Sequence, residues 1–428
     1  MTAYGLSRER FGLLFAVMLV AAAGNTAMQS LMPSMGRELG VPDIWIAAAF
    51  SLSAVIWVLA APYWARMADR RGRRALMRLG LYGFIASMLV CGSVLAAGLA
   101  GLLAPAWVFV IFVLGRTIYG GFGSASPPAV QAYIAARTDG QNRVGALAAI
   151  TSSFGLGTIV GPALAPLFIF HPLGLSGPLI VFAGIGILVL VAVVLRLPDD
   201  TPTNEARGPI VSEPSIGGVG SGAAMRADGA GVPLRWRDKR VSRWLWIGAI
   251  GGHGHAAMLG VIGFLVIDRL RLPLDHAQQS IAIVLMGGAG ATLIAQWGLI
   301  PALALRPRAL ILWGSLLAAL GALLTGFATT AYGMTAGFAL ASLGFGLFRP
   351  GFTGGASLAV DPGEQNAVAG MVTSVNGVAF VAAPALGVLL YGAWMPLPFV
   401  ATTALMLALA AWMWLADQKI GPVPEDRP

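Results

Sequence analysis

Residues 144–167 read VGALAAITSSFGLGTIVGPALAPL, and residues 366–389 read NAVAGMVTSVNGVAFVAAPALGVL. Laid one on the other they pair Thr151 with Thr373, Ser152 with Ser374, Gly155 with Gly377, Pro162 with Pro384, Ala163 with Ala385, Leu164 with Leu386 and Leu167 with Leu389, each pair 222 residues apart. Just upstream, Gln141-Asn142 is echoed by Gln365-Asn366, and Pro127 has a counterpart near Pro350. Each stretch is apolar over roughly 20 residues, the length a helix needs to cross a hydrocarbon core about 30 Å thick. Two such helices with the same punctuation at a fixed distance mark an internal duplication.

Working outward, twelve apolar runs are predicted to span a membrane, because lipid forbids exposed backbone and leaves the helix as the economical solution. The first six are about Phe11–Met32, Ile44–Trp64, Leu76–Leu99, Trp107–Ser126, Val144–Leu167 and Leu179–Leu197. The second six are about Trp244–Ile267, Ile281–Ile300, Ala309–Ala328, Ala331–Leu347 or beyond, Val368–Tyr391 and Phe399–Leu415. The composition agrees: 57% of the 428 residues are hydrophobic and only 11% charged, which excludes an ordinary soluble globule. The first run, with Arg8 and Arg10 ahead of it and small residues near Ala23, has the make-up of a signal peptide, but eleven further spans point to a retained helix.

The net charge of +9 does not indicate a nucleic-acid partner, because the basic residues are scattered over loops. Of the 27 Lys and Arg residues, 22 fall in segments on one side of the membrane, including Arg66–Arg78 and Arg196–Arg243. The opposite loops hold only Arg37, Arg269 and Arg271. The rich side is therefore expected to be cytoplasmic, with both termini on it and the chain in the inner (plasma) membrane. Interfacial Trp64, Trp107, Trp244 and Trp246 fit an aromatic belt.

The one long polar stretch, rich in Gly, Pro, Ser and Asp, divides the duplication. The expected organisation is an all-α membrane protein of twelve transmembrane helices: a six-helix bundle over residues 1–197, a flexible cytoplasmic linker over 198–241 and a second, pseudo-symmetric six-helix bundle over 242–428. A substrate cavity is expected at midplane between the halves, with alternating access by rocking. The lone cysteine, Cys91, excludes a disulfide framework and any cysteine-based metal site, and reads as a packing residue.

After the second run the chain reads ARMADRRGRR over residues 65–74. This resembles the loop signature G-x-L-A-D-R-x-G-R-R of the major facilitator superfamily, with Ala65 where the family has Gly and Met67 where it has Leu. Gly72 permits a tight turn, Arg70 and Arg73 anchor to anionic headgroups, and Asp69 serves a helix N-terminus or an Arg partner. The resemblance implies that this loop is a conformational switch latching the outward-facing state. The bland alternative, a loop that only sets orientation, leaves the aspartate without a role.

In the fourth run, GRTIYGGFG over residues 115–123 resembles the family's R-x-x-x-G motif, and Gly157, Gly161 and Pro162 fall in GTIVGPALA over 157–165, similar to the antiporter motif G-x-x-x-G-P-x-x-G with Ala165 at its last glycine. Residues 132–140 are similar to the matching loop of tetracycline-efflux proteins. The chain thus resembles the twelve-span drug:proton antiporters, which implies proton-coupled efflux of an amphiphilic small molecule by a functional monomer, with membrane lipids as its only other partners. The alternative is a specific metabolite, organic-anion or siderophore transporter, exporter or importer; a membrane sensor on a transporter fold ranks last.

Polar residues inside the spans define the candidate cavity: Asn25, Gln29, Arg116, Arg349 and Asn376. An intramembrane arginine costs several kcal/mol unless it faces a cavity or finds partners, so Arg116 and Arg349 are functional candidates and snorkelling the alternative. All eighteen acidic residues lie in loops, termini or span ends, Asp268 being the nearest to an exception. That weakens cation export and favours an anionic, zwitterionic or neutral amphiphile. His253 and His255 are the candidate proton-coupling groups, although two-residue spacing turns them to different faces of the helix and each also suits a packing role. No metal is expected, since no Cys or carboxylate accompanies the two histidines. No cofactor is expected, since Gly120–Gly123 lacks the strand and acidic partner of a nucleotide site. No nucleophile–base pair or metal helix of an intramembrane enzyme is found.

Overall fold

The structure, a computed structural model, describes residues 2–3, 6–135, 137–138, 140–198, 210–211, 224–225, 236–303, 305–360 and 365–419. Helices dominate it. Over residues 8–196 run α1 (Arg8–Glu38), α2 (Asp43–Arg71), α3 (Arg73–Leu99), α4 (Pro105–Phe122), α5 (Ser126–Ala135), α6 (Gly140–Leu164) and α7 (Gly177–Arg196). Over residues 239–419 run α8 (Lys239–Leu270), α9 (Leu274–Leu293), α10 (Ile300–Leu303), α11 (Pro307–Phe327), α12 (Ala331–Leu358), α13 (Gln365–Ala393) and α14 (Leu397–Lys419). Two-residue strands pair Thr2–Ala3 with Leu6–Ser7 and Ile210–Val211 with Ala224–Met225. Most of the expected linker, and the chain end after Lys419, lie outside the described residues.

Local chemistry sets the helix boundaries. The Ser7 hydroxyl accepts from the Arg10 N–H at 3.3 Å and starts α1 three residues before the expected apolar run. Asp238 starts α8 in the same way, its carboxylate accepting from the Arg240 N–H at 2.9 Å. Pro127 and Pro128 lack N–H donors, and the chain crosses from α4 to α5 through a 3-10 turn, Gly123–Ala125, just ahead of them. A single π-helical stretch, Ile294–Leu299, joins α9 to α10.

Eleven helices among the described residues are long and apolar enough to cross a membrane, α4 with α5 and α9 with α10 each counting as one. Where the fifth expected run lies, the end of α6 and the 3-10 turn Ala165–Phe168 after it form a shorter apolar stretch, Leu156–Phe168. The outer faces are apolar, with Leu59 71%, Leu188 70% and Leu195 76% exposed, as helices surrounded by lipid require. Among α1–α7, α1 packs on α6 and α7, and α3 on α4 and α7; among α8–α14, α8 packs on α13, and α11 on α12 and α14. The two groups meet where α2 lies against α13, α6 against α9, and α1 against α8 and α9.

Candidate functional site

Where the two groups meet, α1, α2 and α6 face α8, α9, α12 and α13 around a chamber. Phe50, Leu259, Phe264, Leu285 and Phe338 make much of its wall apolar. Pro162 and Pro384, which match in sequence at a separation of 222 residues, both line it, one from each group. Two hydroxyls in the wall are engaged with carbonyls: Thr26 donates to Ala22 at 2.9 Å and reaches Gly157 of α6 at 3.3 Å, and Thr292 donates to Gly288 at 3.1 Å and reaches Ser342 of α12 at 3.2 Å. Gln29 differs, because its Nε2 is buried without a hydrogen-bond partner, and a buried amide in a cavity wall is a donor awaiting an acceptor.

A second, smaller cavity adjoins the first one turn nearer the start of α8, and His255 and Thr292 line both. It gathers Arg349 of α12 and Asn376 of α13 among the rings of Phe345, Phe348, Phe352 and Phe380. His255 stacks on Phe345 with ring centroids 4.4 Å apart. His253 lines neither cavity; its Nδ1–H donates to the Ala249 carbonyl at 2.7 Å, so the two histidines part company as their spacing requires.

Arg116 and Asn25 also stand outside both linings. Arg116 is 2% exposed, its guanidinium donating to Asn25 Oδ1 at 3.1 Å and lying 4.8 Å from the Phe50 ring and 5.1 Å from that of Tyr119. Its Nε and Nη1 have no hydrogen-bond partner. The chamber residue Phe50 thus separates this arginine from the cavity. Trp57 is buried beside Tyr119, with centroids 5.3 Å apart, and Cys91 is buried against the Phe112 carbonyl.

At the end where α1 passes to α2, charged side chains close the assembly. Arg37 bonds Asp43 through Nη2 at 2.7 Å and Nε at 3.2 Å, and bonds Asp268 of α8 through both Nη atoms, Nη2 at 2.9 Å. The Tyr391 hydroxyl of α13 donates to the same Asp268 at 2.5 Å. The Arg37 guanidinium also lies 5.3 Å from the ring of Phe264, a chamber residue, so the cluster caps this end of the cavity. Deeper in, the buried Gln278 of α9 donates to Ser30 of α1 at 3.1 Å.

The motif residues fall as follows. Gly72 sits at the α2–α3 junction with φ 84°, a conformation that favours glycine, and Arg73 is buried. Asp69 and Arg70 belong to the end of α2, and their side chains lie outside the described residues. Gly157 and Gly161 press α6 onto α1: a Cβ on Gly157 would lie 2.6 Å from Ala22 Cβ and from the Leu19 carbonyl, and one on Gly161 would strike the Ala23 carbonyl and Thr26. No cluster able to hold a metal exists among the described residues. The Arg37–Asp268 pairing, 231 residues apart in sequence, escapes sequence reasoning; Asp268 as the acidic residue nearest the lipid and Arg37 as one of three basic residues on its side were the available signals.

The chain is a polytopic helical membrane protein folded around a chamber between two helix groups. The profile of the Major Facilitator Superfamily matches residues 14–304, and the chain belongs to that superfamily. It is 26% identical over 211 residues to the staphyloferrin B transporter of Staphylococcus aureus, covering 48% of this chain and 47% of that one. It is 25% identical over 150 residues to the multidrug resistance protein MdtG of Proteus mirabilis, covering 34% of each chain. The chain thus spans about half the length, or less, of the curated relatives it matches. Its fold resembles that of a bacterial homolog of the human lysosomal transporter Spinster in an inward-facing and occupied conformation, with a TM-score of 0.73 and 13% identity over 98% of both chains.

Proposed function

We propose that the chain is a secondary active transporter that exports an amphiphilic small molecule by alternating access, with protons as the coupling ion. The observation that carries this reading is the chamber itself, walled by both helix groups and capped at one end by an ion cluster that joins them. Such a cap can break without unfolding either group, which is what alternating access demands. In this reading α6, 25 residues long and therefore about 37 Å at 1.5 Å per residue, is the twelfth span, and the halves at 1–197 and 242–428 are pseudo-symmetric. Support comes from the matched packing of α2 on α13 with α6 on α9, and from the paired Pro162 and Pro384.

The end richer in Lys and Arg is cytoplasmic, the termini lie on that side of the inner membrane, and the capped end faces out. His255, on the shared wall of both cavities, carries the coupling proton. The chain works as a monomer. The name of the similar multidrug resistance protein supports export of varied amphiphiles; that of the staphyloferrin B transporter supports the second reading, a carrier dedicated to one metabolite.

Everted membrane vesicles energised with a pH gradient test the proposal, using a panel of anionic, zwitterionic, neutral and cationic amphiphiles. Dissipation of the gradient by at least one compound, lost in His255→Gln, is the expected outcome. Dissipation by none of them overturns proton-coupled export, and undiminished dissipation in His255→Gln removes that residue from the proton path.

A further inference from the structure

We infer that the seam between the start of α8 and the end of α14 is a binding site for an anionic phospholipid, its phosphodiester headgroup held at Arg237 and Lys239 and its acyl chains lying along Trp246 and Trp412. The site lies outside the chamber lining and does not depend on what the chamber carries. Residues 235–243 read RWRDKRVSR, five basic residues against the single acid Asp238. Asp238 caps α8 and is paired with Arg240 at 2.9 Å. Arg237 and Lys239, on either side of it in sequence, are exposed. The last turn of α14 adds Asp417 and Lys419, which balance each other. A basic cluster at the first turn of a spanning helix draws the anionic headgroups of the leaflet beside it.

Helix geometry supplies the apolar half of the site. Lys239, Arg243 and Trp246 fall at i, i+4 and i+7 of α8, one face of the helix. Arg243 joins that face to α14: its guanidinium lies 6.0 Å from the Trp412 ring and its Nη2 3.8 Å from Met413 Sδ. Trp246 is 63% and Trp412 39% exposed, although both belong to spanning helices. Trp246 lies seven residues in from Lys239, the first residue of α8, and Trp412 seven residues in from Lys419, the last of α14. At 1.5 Å per residue both rings sit about 10 Å along the helices from those charged ends, the level of a lipid's glycerol and upper acyl chain. A soluble polyanion or an acidic peptide would answer the charge and leave these two rings unused.

The test uses the purified, delipidated full chain in detergent, titrated in native mass spectrometry with dioleoylphosphatidylglycerol and with dioleoylphosphatidylcholine, which share their chains and differ in headgroup charge. The wild-type protein is expected to bind the first anionic lipid about tenfold or more tighter than the first zwitterionic one. Arg237→Gln combined with Lys239→Gln should weaken the anionic lipid by about tenfold and leave the zwitterionic lipid as before. Arg306→Gln combined with Arg308→Gln, a basic pair at the start of α11, should change neither. Trp246→Ala should weaken both lipids by about threefold or more, because it removes contact with the chains. If the double glutamine variant yields no folded protein, Lys239→Gln alone is read, with an expected loss of about fivefold for the anionic lipid. Equal affinity for the two lipids in the wild type, a preference that survives the glutamine substitutions, an equal loss in the Arg306 and Arg308 variant, or unchanged binding in Trp246→Ala overturns the site. So does binding of the chain-free headgroup glycerophosphoglycerol as tightly as the whole lipid, which would assign the cluster to a soluble anion.

Discussion

Arg116 illustrates what a single residue discloses. A guanidinium in an apolar run is conspicuous in sequence because its desolvation is costly, and that cost says it must have partners or a cavity without saying which. The structure gives it Asn25, two aromatic faces and two unpartnered nitrogens, one side chain behind the chamber. Such an arginine is expected to be retained for function at some cost in stability. Arg116→Met should therefore leave the unfolding temperature of the purified protein unchanged or raise it, since replacing a buried charge by an apolar group of like volume is often neutral or stabilising by about 1–4 kcal/mol. Transport in vesicles should fall at the same time, by about tenfold or more. A marked loss of thermal stability with transport retained would make Arg116 a structural residue. Arg349 looked equivalent in sequence, and only the side-chain directions of α4 and α12 separate the buried residue from the cavity-lining one.

At the scale of the element, the pairing of α1 with α6 rests on small residues. Helices in lipid gain nothing from hydrophobic contact with each other, so close approach depends on glycine faces that admit a neighbouring backbone. The one-turn spacing of Gly157 and Gly161 is legible in sequence as a flat face; that the face receives Leu19, Ala22 and Ala23 is not, because nothing local specifies a partner over a hundred residues away. Gly161→Val should destabilise the fold by about 1–3 kcal/mol or more through overpacking against α1, read as a lower unfolding temperature and loss of monodisperse protein in size-exclusion chromatography. Gly184→Ala, on α7 with nothing within 4 Å of its added Cβ, is the matched control and should behave as wild type. Equal behaviour of the two variants would remove the tight α1–α6 contact as a determinant of the fold.

For the whole molecule, the Arg37 cluster is the feature with most leverage. It ties α1 and α2 to α8 and α13 with side chains only 22–24% exposed, so its ion pairs are screened less than surface pairs. Removing the arginine leaves Asp43 and Asp268 facing each other across the joint between the helix groups. Arg37→Ala is expected to favour the state open at this end. The check is an Ala47→Cys reporter in the chamber wall, labelled by a membrane-impermeant maleimide added outside intact cells; the buried Cys91 gives little background. Labelling should be about tenfold faster with Arg37→Ala, as the loss of about 1–2 kcal/mol of closing energy implies. An unchanged rate would mean that the cluster does not hold the end shut.

The sequence by itself determined that the chain lives in lipid as a set of spanning helices, that two apolar stretches 222 residues apart share the same Thr, Ser, Gly and Pro punctuation, and which few residues inside the spans are polar. Those conclusions follow from local physics: the length of an apolar run, the expense of a buried charge, the missing N–H of proline and the positive φ taken by Gly72. Only the tertiary structure decided that Gln29, His255 and Arg349 line cavities while Asn25, Arg116 and His253 do not, and that Arg37 meets Asp268. The physical reason is rotational: a helix places side chains about 100° apart around its axis, and which of those directions faces a chamber, a neighbour or lipid is set by packing among helices distant in sequence.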